Sequence, residues 1–87
     1  PDSPLFGGLA LANDYIATAH AASGVFATVF AASVDVLSGA VRYVNAGHDP
    51  APQIVGPDGP REQLAPTGPA LGVAEGARLG VATARIR

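Results

Sequence analysis

Val41-Arg42-Tyr43-Val44-Asn45-Ala46-Gly47-His48-Asp49-Pro50 is the stretch that decides how this chain is read. Side chains alternate between the faces of a strand. Val41, Tyr43 and Asn45 therefore share one face, and Arg42, Val44 and Ala46 share the other. Gly47 removes the side chain where the backbone turns or is closely approached. His48 and Asp49 then set an imidazole beside a carboxylate at the strand end, and Pro50 stops the ladder because it has no N–H to donate. Strand ends and the loops after them are where rigid scaffolds place working groups.

Working outward, Ser38-Gly39 marks a turn before this strand, and Val25 to Val36 reads as its long antiparallel partner. Large side chains (Phe26, Phe30) lie on one face of that partner and small ones (Ala27, Ala31) on the other. Both faces are largely apolar, which predicts an interior strand covered on two sides. Phe26 and Phe30 read as packing residues facing the core. Downstream, Gln53 to Val55, the Gly56-Pro57-Asp58-Gly59 turn and Arg61 to Leu64 predict a second, more exposed hairpin. Residues 65–78 are rich in Gly, Pro and Ala and read as a loop, and Leu79 to Arg87 as a last strand at an edge.

Upstream, Ser3-Pro4 predicts a helix start, serine as cap and proline in the first turn. Leu5, Leu9, Ala12, Ile16 and Ala19 fall at helical spacing on one face. Asn13, Asp14 and Thr18 lie mostly outside that stripe. His20 sits in the last turn, and Ser23-Gly24 ends the helix. One helix followed by antiparallel strands predicts an α+β layered arrangement.

Composition bounds the function. The chain has 87 residues, 48% of them hydrophobic, which argues against a disordered chain but leaves a thin core. There is no cysteine, so disulfides and zinc–thiolate sites are excluded. The net charge is −2, and the basic residues are scattered arginines (Arg42, Arg61, Arg78, Arg85, Arg87), so no basic stripe points to nucleic acid. The longest nearly apolar run, Gly24 to Val34, is too short to span a bilayer. A cytoplasmic setting is expected.

The strand-end run resembles the Y-x-N-A-G-H-N-P signature of the SpoIIE-like bacterial serine phosphatases, a branch of the protein phosphatase 2C (PPM) family. Phe26-Ala27-Thr28-Val29-Phe30, Val34-Asp35 and Ser38-Gly39 are similar to that family's strand and hairpin. Gly56-Pro57-Asp58-Gly59 is similar to its turn, and Thr67-Gly68-Pro69-Ala70-Leu71-Gly72 to its G-x-P-L-G segment. Each motif alone is weak; together, in the family's order, they cover nearly the whole chain.

The resemblance implies that residues 1–87 are an internal part of one phosphatase domain, within an α-β-β-α layered β-sandwich of the protein phosphatase 2C type. It implies hydrolysis of phosphoserine or phosphothreonine at two divalent metal ions, manganese or magnesium, held by oxygen ligands. The family's metal motifs, G-D-v-S-G-H-G and T-D-G, are absent here, so no metal is expected on this stretch and the piece alone is expected to be inactive. The implied substrate is a phosphoserine protein of the anti-anti-sigma (STAS) type in bacterial stress or sporulation-type regulation, with a sensor or receiver domain in the parent chain.

Asn45, Gly47, His48 and Asp49 are the residues the resemblance places near the active site; no catalytic residue is assigned. For His48, one reading orients a loop or a metal-bound water near the phosphate entrance. The other fixes the strand-end corner through hydrogen bonds, the more frequent role of a lone histidine. Asp49 stands where the family usually has asparagine. It would either pair with His48 and raise the imidazole pKa or cap the next turn. Asn45 is expected to bond backbone, and Asp35 and Asp58 to cap their own turns. His20 and His48 make a poor metal pair, since no third ligand stands at a recognised spacing. Gly68, Gly72 and Gly76 do not form a phosphate loop, because no lysine follows. Two rivals stay open: a catalytically dead pseudophosphatase that binds a partner without turnover, and an unrelated small sensory α+β domain.

Overall fold

The computed structural model describes residues 4–19, 23–74 and 76–86. The Ser3 cap, His20 and the side chain of Leu5 lie outside the described residues. Helix α1 runs Pro4–Ala19 and is followed by β1 (Val29–Val34), β2 (Ala40–Ala46), β3 (Gln53–Gly56), β4 (Gly59–Gln63) and β5 (Ala82–Arg85). The fold is α+β, one helix followed by antiparallel strands, as the pattern of the sequence predicts.

A three-stranded sheet in the order β1-β2-β5 stands beside the two-stranded β3–β4 hairpin. Val29 pairs with Ala46 and Val34 with Val41 across β1 and β2, while Ala40 pairs with Arg85 across β2 and β5. The expected turn sits between β1 and β2. Asp35 Oδ1 accepts from Leu37 N–H at 2.9 Å and Ser38 N–H at 3.3 Å. Gly39, at φ 78°, closes the turn in the left-handed region that favours glycine. The second hairpin falls where its turn signal places it, with an irregular register between Ile54 and Val55.

Two expectations need correction. The strand before the turn is shorter than Val25 to Val36, and it lies at an edge of its sheet instead of the interior. Phe26 precedes it and is 62% exposed, so it is not a core residue; Phe30 is half-buried and packs on Tyr43 with ring centroids 5.9 Å apart. Hydrophobic alternation reports which residues share a face, but neighbours decide whether that face is covered. β1 has one sheet neighbour, and its distal half (Ala32, Ser33, Val34) is exposed.

The core follows from β2 sitting in the middle. Val41 and Tyr43 pack with Leu64 and Ala84, and Phe30, Ile54 and Ala82 border the cluster. The β3–β4 hairpin thus lies over one face of β2, tied there by Asn45 Nδ2 donating to Leu64 O at 2.8 Å. On the opposite face Val44 and Ala46 are buried, and the Arg42 guanidinium lies 5.7 Å from the centroid of the Phe6 ring on α1. Such cation–π contacts contribute about 0.5–1 kcal/mol at exposed sites.

The helix keeps its predicted position but not its predicted face. Leu9, Ala12 and Ile16 are half-buried as expected, whereas Ala19 is exposed, and the deepest side chains are Phe6 and Asn13. Gly7 and Gly8 weaken α1 intrinsically, by about 1 kcal/mol each relative to alanine, so docking holds it. None of the described helices is long and apolar enough to cross a membrane.

Candidate functional site: the strand-end corner

The end of β2 is laced to the loop that follows Leu64. Asn45 N–H donates to Thr67 Oγ1 at 3.0 Å, and Thr67 N–H donates back to Asn45 O at 2.8 Å. The fully buried Asn45 side chain uses both of its ends. Its Nδ2 donates to Leu64 O at 2.8 Å, and its Oδ1 accepts from His48 N–H at 2.8 Å. A buried amide with donor and acceptor both satisfied is a strong local constraint, and this one bonds backbone, as expected for Asn45.

Gly47 makes the corner possible. Its φ is +67°, its N–H donates to Gly68 O at 3.1 Å, and a Cβ there would fall 2.7 Å from Ala70 N. Neither the conformation nor the space admits a side chain. Leu71 in turn exchanges two backbone hydrogen bonds with Ala27, at 2.9 and 2.7 Å. This brings the segment that carries Thr28 to the corner.

His48 therefore projects from a rigid backbone while its ring stays exposed. Its Nδ1 lies 3.5 Å from Thr28 Oγ1, at the outer limit of a hydrogen bond. The exposed Asp49 carboxylate forms neither an ion pair with His48 nor a cap among the described residues, and the Asp49–Pro50 peptide is cis. Of the four candidates, Asn45 and Gly47 build the corner, and His48 and Asp49 are presented by it.

Sequence reasoning missed the other anchor of this site. Asn13 is 0% exposed in the middle of α1. Its Oδ1 accepts from Gly72 N–H at 2.9 Å, and its Nδ2 donates to Ala74 O at 3.0 Å and to Asp14 Oδ1 at 3.1 Å. Asp14 Oδ1 also accepts from Gly76 N–H at 2.8 Å. Gly72, at φ +90°, lies so close to α1 that a Cβ would meet Ile16 Cγ2 at 2.2 Å. The available signal was a helix-interior Asn-Asp pair, since these residues are weak helix formers that readily bond nearby backbone.

The described carboxylates and imidazole do not fit a two-metal centre. Among the described residues no group of three or more His, Cys, Asp or Glu side chains is placed to hold an ion. The chemistry of the donors agrees. Asp35 is taken up by its own turn, whose N–H groups hold its carboxyl below the usual aspartate value, and Asp14 is taken up by Asn13 and Gly76.

One helix followed by antiparallel strands is consistent with a fragment of a protein phosphatase 2C-type domain, and the sequence comparison gives the family. Residues 7–87 match the family described as Stage II sporulation protein E (SpoIIE), and the chain belongs to that family, a branch of the PPM-type phosphatases. Enzymes of this class are phosphate-ester hydrolases and are generally metal dependent. The chain is also similar to Protein IcfG of Synechocystis sp., 44% identical over 63 residues, which cover 72% of this chain and 10% of that protein. The match thus spans about a tenth of the length of this curated relative. No solved structure matches the chain.

Proposed function

We propose that residues 1–87 are an internal part of a metal-dependent protein serine/threonine phosphatase domain and supply its scaffold and the rim of its active site. The observation that carries this reading is the corner at Asn45, Gly47 and His48, bound to the 64–72 loop, within a family match over residues 7–87. The substrate is a phosphoserine protein of the anti-anti-sigma (STAS) type, and a sensor or receiver module in the parent chain supplies the input. The protein works in the cytoplasm.

Manganese or magnesium would be held by aspartates elsewhere in the parent domain and would supply charge stabilisation at phosphorus in this class of reaction. The present residues contribute placement. Asn45 fixes the backbone of His48, and Gly47 lets the 68–72 loop close against it. The exposed His48 ring is available to hold a hydrogen-bond partner at the rim.

The test is phosphate release from a phosphorylated anti-anti-sigma protein by the full-length chain, with manganese and with chelator. Manganese-dependent release is expected, and His48→Ala should lower it about 10- to 100-fold, as for groups that orient a metal site from outside its ligand shell. Full-length protein that releases no phosphate under manganese would sink the reading.

The alternative is a pseudophosphatase that binds a phosphorylated partner without turnover. It requires binding that persists in chelator, so loss of binding on chelation would exclude it.

A further inference from the structure

A fully buried, fully bonded asparagine in the middle of a helix is costly to maintain, because helix formation does not need it. Asn13 is such a residue, and neither of its long-range bonds serves α1. Both hold the backbone of the 72–74 segment, one through Gly72 N–H and one through Ala74 O. The contact is close enough that Gly72 has no room for a Cβ.

The two residues just before that segment reach His48 from two sides. Ala70, two residues before Gly72, lies where a Cβ on Gly47 would be, so it sets the backbone just ahead of His48. Leu71 is paired through both its N–H and its C=O to Ala27, whose neighbour Thr28 carries the hydroxyl beside His48 Nδ1. The span from Ala70 to Gly72 therefore touches the backbone that carries the imidazole, the segment before β1 that carries its side-chain neighbour, and the helix.

We propose that Asn13 is a positioning residue for His48, acting through the 70–72 backbone; its part in turnover rests on the phosphatase reading above. Its amide suits the task because one side chain must accept from one backbone group and donate to another. Asp14 adds a third hold at Gly76, outside the span that reaches the corner.

Residue-resolved amide hydrogen exchange on the full-length protein tests this, comparing Asn13→Leu, which keeps the bulk and removes both bonds, with Asp14→Ala. Asn13→Leu should speed exchange at Ala27, Leu71 and Gly47 by on the order of tenfold or more, leaving Leu64 and the β3–β4 amides unchanged. Asp14→Ala should leave Gly47 unchanged. If Asn13→Leu does not fold, Asn13→Ser serves, and the same amides decide. Faster exchange confined to Gly72 and beyond, or spread equally to the hairpin, would overturn the proposal.

Turnover of a phosphoserine substrate gives the second readout. Asn13→Leu should lower kcat with KM unchanged, by about 10- to 100-fold, the scale of an ångström-level misplacement. An altered KM with unchanged kcat would also overturn it. Wild-type protein without turnover would defeat the phosphatase reading alone, because the exchange pattern still decides what Asn13 positions.

Discussion

β1 and β2 are antiparallel neighbours, yet the more apolar of the two is the more exposed. β1 reads Val-Phe-Ala-Ala-Ser-Val and contains no charge, but its distal half is open to solvent. β2 carries Arg42 and Asn45, and nevertheless all its residues except Ala40 and Arg42 are buried. β2 has a strand on each side, the β3–β4 hairpin over one face and α1 toward the other. β1 has one strand neighbour. Burial belongs to a position in the assembly, and hydrophobicity only makes it favourable.

Substitutions along the two strands should break or sharpen that contrast. The largest effect is expected from Val44→Asp, which places an unpaired carboxylate at a site 1% exposed. It should cost on the order of several kcal/mol and abolish the cooperative urea transition. Asn45→Ala comes next. It strands Leu64 O and His48 N–H, and should lower stability by about 2–4 kcal/mol by the same measurement. Phe26→Ser, before the open edge strand, should shift stability by less than about 0.5 kcal/mol. A loss at Phe26 comparable with that at Asn45 would show that β1 is covered in solution.

The smallest effect is expected at Asp35, in the turn joining the two strands. Its folded-state pKa is lowered by the N–H groups of Leu37 and Ser38. The stabilisation is therefore present above the unfolded aspartate value of about 3.9 and is lost as pH falls through the lower folded value. Unfolding curves of wild type and Asp35→Asn should differ slightly at neutral pH and converge in acid. A difference that grows in acid would contradict the assignment.

Much of the local structure was legible. Pro4 in the first helical turn, the Asp35-to-Gly39 turn, the alternation through Val41 to Ala46 and the Gly56-Pro57-Asp58-Gly59 turn each carry their own short-range physics. The strand-end corner was legible for a similar reason. Glycine at Gly47 answers a backbone need, and Asn45 finds one of its partners only three residues away. Asn13 was not legible, because its partners lie 59 and 61 residues along the chain. Nothing near it in sequence shows that the polar residue faces inward, and the leucine–alanine stripe pointed to a neighbouring face of α1. Phe26 failed for the converse reason: a large aromatic at a core-like position stays exposed when none of the described elements lies over it.

The order of the elements, their turns and the antiparallel pairing of the first hairpin could be read from the chain directly, since each rests on interactions within a few residues or on alternation along one strand; the family signature was read by resemblance. That β2 is central and β1 an edge emerges from the packing of the whole chain. The tertiary structure alone showed that Thr28, Asn45 and the 64–72 loop meet at one corner, and that an asparagine on α1 holds that loop. Those outcomes depend on which surfaces arrive opposite one another, and contacts between distant segments leave no periodic trace in either one.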